Sequence, residues 1–135
     1  MASPASDTSR IAPRHHGSRI VRSFGFAVEG LATIVRTQPN FWVHLVAATL
    51  ALALGVFLKL SPPELGLVVL TIALVLVVES INTAVESVCD LVSPGHHALV
   101  KRAKDISAAA VLIAALAAVT VALLLYGPRL VALLR

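Results

Sequence analysis

The sequence predicts an all-α integral membrane protein: three transmembrane helices preceded by an N-terminal amphipathic surface helix. Composition, segment length and the placement of cations carry that expectation. Of 135 residues, 58% are hydrophobic and 13% charged, and the mean hydropathy is +0.91, well outside soluble norms. Largely apolar stretches at 41–60, 65–92 and 106–126 are each long enough to cross a hydrocarbon core of about 30 Å. Arg10, Arg14, Arg19, Arg22 and Arg36 precede the first stretch, Lys101, Arg102 and Lys104 lie between the second and third, and the first hairpin has only Lys59. Cations so distributed orient a membrane chain and do not form a nucleic-acid patch. They put the N-terminus and the second loop in the cytoplasm.

Residues 1–17 are rich in Ser, Pro, Ala and basic groups, without the apolar run of a signal peptide, and are expected to form a disordered tail. His15 and His16 are solvated polar residues in this reading, not metal ligands. From 18 to 37 the apolar residues Ile20, Phe24, Ala27, Val28, Leu31, Ile34 and Val35 recur at three to four, while Arg22, Glu29, Thr33 and Arg36 hold the other side. Such a helix suits an anionic membrane surface, and also suits a cap on a bundle.

Residues 37–40, with Gln38 and Pro39, break the pattern before the first span at 41–60. Phe41 and Trp42 suit the interface, and His44 is expected to be hydrogen-bonded there. Ala47, Ala51 and Gly55 form a small-xxx-small stripe for close helix contact, as do Ala110, Ala114 and Ala118 in the third span. Residues 61–64 (Ser-Pro-Pro-Glu) are expected to turn the chain into the second span, 65–92. A loop at 93–97 then leads through 101–105 into the third span at 106–126, which Gly127 and Pro128 are expected to end, leaving 129–135 as a tail. The lone Cys89 excludes an internal disulfide and is expected to be a small buried residue.

The end of the second span carries the chemistry. At about 100° per residue, Glu79, Asn82, Thr83, Glu86 and Asp90 fall within an arc of roughly 100°. A carboxylate in a membrane helix costs about 2.5 to 3.5 kcal/mol on insertion scales, so this face needs a partner or a task. Glu79 should lie deepest and Asp90 at the interface, a ladder of acids rising out of the lipid. Three tasks fit. In phosphoryl transfer, carboxylates would hold a divalent cation on the phosphates, Lys104 would offset phosphate charge, and a deeper carboxylate would activate a lipid hydroxyl. The same acids could relay ions or protons, or hydrogen-bond across an oligomer interface. The sequence has no GxxxxGK[ST] loop, no HRD or DFG set and no GxGxxG, and residue spacing leaves the three open.

The run ESINTAVESVCDLVSPGHHALVKRAKDISAAAVL resembles the prokaryotic diacylglycerol kinase family, including its undecaprenol kinase branch, whose pattern is E-x-x-N-[ST]-A-x-E-x-x-x-D, a loop His and A-K-D-x-x-[AS]-A-A-V. The likeness extends upstream through SFGFAVEGL and RTQPNFWVH and covers residues 18–128. The N-F-x-x-H element is more like the undecaprenol branch. The resemblance implies a homotrimeric bundle with shared sites at the cytoplasmic interface, ATP and Mg²⁺ as co-substrate and cofactor, and a lipid alcohol, undecaprenol or diacylglycerol, as acceptor. Glu79 falls on the family's catalytic base, with Asn82 supporting it, and Glu86 on a ligand to the cation carried by ATP. Arg19, Phe26, Asp90, Gly95, His96, His97, Lys104 and Asp105 fall on the nucleotide site. Three positions depart from the pattern. Gln38 stands where the family has a second acidic metal ligand and offers a neutral oxygen that should hold Mg²⁺ less well. Phe26 replaces a frequent Tyr, and Pro39 a basic residue common in the undecaprenol branch.

Overall fold

The computed structural model describes residues 16–95 and 97–135, with the side chains of 16–18 excepted. The expected tail up to residue 15, with His15, and the candidate His96 lie outside these. Four helices follow one another: α1 (His16–Thr37), α2 (Pro39–Phe57), α3 (Pro62–Val92) and α4 (Ala98–Leu133). The last three are each long and apolar enough to cross a membrane, so the chain is a multi-pass membrane protein built of helices.

The chain divides after Ala32 into two units. The first carries most of α1, whose apolar residues Ile20, Phe24, Val28 and Leu31 are all exposed. The helix begins two residues before the expected start, taking in His16 and Gly17.

In the second unit the α1–α2 break is one residue wide. Gln38 is extended (φ −112°, ψ 101°), as the residue before a proline must be, and Pro39 opens α2 where its missing N–H costs nothing. Trp42 secures the break, its Nε1 donating to the Val35 carbonyl at 2.8 Å. At the other end Leu60 N–H reaches back to Gly55 O and Lys59 N–H to Val56 O. That pairing closes a helix through a left-handed residue, here Lys59 at φ 53°, where glycine is usual.

The structure moves several expected boundaries: α2 runs Pro39–Phe57, not the expected 41–60, and α4 begins at Ala98, not the expected 106. α3 begins at Pro62, not Leu65. Pro62 sits at the first helical position, and Glu64 folds back to accept from the Ser61 N–H and hydroxyl, both at 2.7 Å, so the expected turn is the helix's own capped start. At the far end α4 does not stop at Gly127 and Pro128 but continues to Leu133. A proline deletes one helical hydrogen bond, a loss tolerated where neighbouring groups hold the helix in place. Such groups flank it. Tyr126 OH donates to Ala51 O on α2 at 2.9 Å. Arg129 donates to Leu125 O at 3.0 Å and to both oxygens of Glu64, at 3.0 and 2.8 Å.

α3 packs against both α2 and α4. Leu58, Leu60, Val68 and Tyr126 form the buried cluster, flanked by Ala51, Leu54, Leu65 and Ala122, so the core lies at the Lys59 end. Gly55 is buried there, and a Cβ on it would meet Leu65 Cδ2 at 3.1 Å; the expected stripe is used for contact at Ala51 and Gly55. In α4, Ala114 is buried, Ala118 half-buried and Ala110 exposed. His44 is half-buried and, with Thr71 and Tyr126, lines an otherwise apolar cavity of about 260 Å³ between α2, α3 and α4.

Helix length places the rest. At 1.5 Å per residue about 20 residues cross a bilayer, whereas α3 has 31 and α4 has 36. Part of the excess lies where the two helices meet through residues 93–97, and there the polar face is found.

Candidate active site

The acids of α3 form a graded series. Glu79 is 2% exposed, Glu86 half-buried and Asp90 exposed, the order expected of a helix rising from apolar surroundings to water. Asn82 and Thr83 are buried between them. The Thr83 hydroxyl donates to Glu79 O at 3.1 Å, its usual use inside a helix, and this leaves Asn82 as the polar side chain of that turn free to serve its neighbours. Its Nδ2 donates to Glu86 Oε1 at 3.2 Å, and its Oδ1 accepts from Ser107 Oγ of α4 at 2.6 Å.

Glu79 differs from the other acids of this region. Among the described residues none donates a hydrogen bond to its carboxylate, while no sealed polar side-chain atom lacks a partner; the residual exposure of Glu79 must therefore lie at those oxygens. The Glu79 carboxylate is thus almost wholly withdrawn from water and keeps acceptor capacity unused by the described residues.

Farther out, α3 and α4 enclose a cavity of about 420 Å³ lined by Asp90, Ser93, Pro94, Gly95, His97, Val100, Lys101, Lys104 and Asp105, within the size range of small-ligand sites. Two ion pairs stand in its wall. Lys104 bridges from α4 to Asp90 on α3, and Lys101 pairs with Asp105 one turn along α4. His97 caps α4, its Nδ1 accepting from Leu99 N–H at 3.3 Å. That places the proton of the neutral ring on Nε2, where it can be donated to an anion. Ion pairs with exposed carboxylates, made here by the exposed Lys101 and the half-buried Lys104, are held weakly and can be turned to phosphate oxygens.

Of the sequence-derived candidates, Asp90, Gly95, His97, Lys104 and Asp105 line this one cavity, and Glu79, Asn82 and Glu86 continue the same face of α3 inward. Arg19 and Phe26 are exposed on α1 in the N-terminal unit. Gln38 is half-buried between α1 and α2. Among the described residues no three His, Cys, Asp or Glu groups converge to hold a metal.

Sequence reasoning missed Ser107 and Lys101. Lys101 could have been found from its i, i+4 spacing to Asp105. Ser107 stands before three alanines with nothing in the local pattern to announce a partner on α3.

Known proteins resemble this chain over most of its length. The family model described as prokaryotic diacylglycerol kinase matches residues 25–126. The undecaprenol kinase of Bacillus subtilis (strain 168) is 36% identical over 87% of this chain and 95% of its own length. A diacylglycerol kinase of Synechocystis is 40% identical over 83% of this chain and 65% of its own, and that of Escherichia coli (strain K12) 34% identical over 76% and 84%. The chain belongs to the prokaryotic diacylglycerol kinase family and is a lipid kinase.

Proposed function

We propose that the protein transfers the γ-phosphoryl group of ATP to the single hydroxyl of a membrane lipid alcohol, undecaprenol or diacylglycerol, at the cytoplasmic face of the membrane. The observation that carries this reading is the Glu79 carboxylate, nearly sealed from water and without a donor among the described residues, on the same helix face as the cavity-lining Asp90. A lipid hydroxyl reaching it from the apolar side would supply that donor. As its oxygen attacks the γ-phosphorus and the bond to the β-phosphate bridging oxygen breaks, the hydroxyl proton passes to Glu79 and ADP leaves.

Lys104, Lys101 and His97 Nε2 would hold the triphosphate in the cavity, with Asp90 and Asp105 keeping the ammonium groups aimed until it arrives. Gly95, His96, Arg19 and Phe26 are assigned to nucleotide contact by the family resemblance alone. Glu86 and Gln38 would hold Mg²⁺, which neutralises charge on the phosphates when bound. The resemblance also supports a homotrimer, with each site completed by a neighbouring copy, and α1 lying on the anionic membrane surface.

Purified full-length protein in lipid nanodiscs, given labelled ATP and Mg²⁺ with undecaprenol or diacylglycerol separately, should yield one phosphorylated lipid. Label in neither lipid, in a sample verified as folded, would overturn the reading.

A further inference from the structure

We infer that Ser107, on α4, is a positioning residue for the cation end of the site: by holding the Asn82 amide it sets the carboxylate of Glu86. The inference rests on the reading of Glu86 as a ligand to the cation carried by ATP.

Three groups make one relay. A carboxylate can only accept, so the 3.2 Å contact between Asn82 and Glu86 must use the Asn82 NH₂ group. The amide oxygen is thereby turned to the other side, toward α4. Asn82 is 6% exposed, and a buried oxygen left without a donor would be costly. The Ser107 hydroxyl answers it at 2.6 Å. That hydroxyl also lies 3.0 Å from Lys104 O, but it has one proton, and the shorter contact takes it.

No neighbour on α4 can replace it. The flanking residues are Ile106, Ala108, Ala109 and Ala110, and Lys104, one turn away, is engaged with Asp90. Without the hydroxyl the Asn82 amide is free to turn its oxygen elsewhere, and a turned amide presents no N–H to Glu86. The Glu86 carboxylate then samples several rotamers before a cation meets it, and the cation must order it on binding.

The test reads cation binding directly. Mn²⁺ is titrated into the full chain in nanodiscs with a non-hydrolysable ATP analogue, and free Mn²⁺ is followed by its paramagnetic resonance signal. Ser107→Ala should weaken Mn²⁺ binding roughly tenfold, with only a small fall in Tm and the KM for the lipid alcohol in place. Ser107→Thr, which keeps the hydroxyl, should restore Mn²⁺ binding. Alanine already fills the next three positions, so the first variant asks nothing new of the helix. If Glu86→Gln weakens Mn²⁺ binding and Ser107→Ala does not, the inference fails and the role of Glu86 stands. If Glu86→Gln has no effect, both fail. A fall in Tm with no recovery of Mn²⁺ binding by Ser107→Thr would reduce Ser107 to packing and also overturn the inference.

Discussion

Each end of the α3–α4 pair holds acids against bases, and they hold them differently. At the Lys59 end, Glu64 accepts from the Ser61 backbone, the Ser61 hydroxyl and two contacts of Arg129, so one carboxylate is saturated by groups fixed in the fold. At the other end Asp90 meets the half-buried Lys104 ammonium and Asp105 the exposed Lys101 ammonium around a cavity of about 420 Å³, and among the described residues none donates to the Glu79 carboxylate. Saturation marks an acid that holds helices together. Spare acceptor capacity beside an opening marks acids and bases kept for something that comes and goes.

The sharpest way to break that contrast is to neutralise, at the cavity end, first an acid and then a base. Glu79→Gln should lower kcat by about 10²- to 10⁴-fold, the contribution of a general base, while binding of an ATP analogue is kept. Turnover at the wild-type rate would remove Glu79 as base. Lys104→Met should lower kcat/KM for ATP by about ten- to a hundredfold, as expected on losing a charge-assisted bond to phosphate, with the KM for the lipid alcohol unchanged. An equal loss against both substrates would mean that Lys104 serves only to hold α4 to Asp90.

Gln38 offers a smaller effect of opposite sign. If that position approaches the cation, Gln38→Glu restores a charged oxygen and should reduce the Mg²⁺ needed for half-maximal rate by a few-fold; an unmoved titration would place Gln38 away from the metal. At the Lys59 end, Arg129→Met should lower Tm with kcat retained at temperatures where the protein stays folded. The double variant with Glu64→Gln should fall little further, since the two side chains act as one unit. Loss of turnover without loss of Tm would show that this end, too, serves the chemistry.

What could be read in advance follows from what spacing encodes. Helical periodicity converts residue separation into facing, so Glu79, Asn82, Glu86 and Asp90 were placed on one side of α3 before any coordinates, and their gradient of burial follows from distance along the helix. Lys104 entered as a counter-charge to phosphate from its place in the second loop, and Asp105 came from the family likeness. The Ser107–Asn82 bond joins residues 25 apart and the Arg129–Glu64 pair residues 65 apart; no local pattern fixes the rotation of one helix against another. Pro128 misled for a related reason. Proline reads as a stop in a lone helix, and what carries α4 past it, the ties of Tyr126 and Arg129 to α2 and the start of α3, is tertiary.

Tyr126 allows the finest cut of the comparison, because it belongs to the structural end alone. Its hydroxyl donates to Ala51 O, a carbonyl that also accepts the helical N–H of Gly55 four residues on. Tyr126→Phe therefore removes a bond without leaving a buried carbonyl orphaned, and the ring keeps its place against Leu58, Leu60 and Val68. The cost should sit near the average for polar contacts between membrane helices, about 0.6 kcal/mol, seen as a small fall in Tm with kcat and both KM values unaltered. A loss well above about 1.5 kcal/mol, the upper end for one net hydrogen bond, would show that the hydroxyl does more than tie α4 to α2. The small cavity it shares with His44 and Thr71 would then be the place to look, since that is where a lost hydroxyl would be felt beyond its single bond.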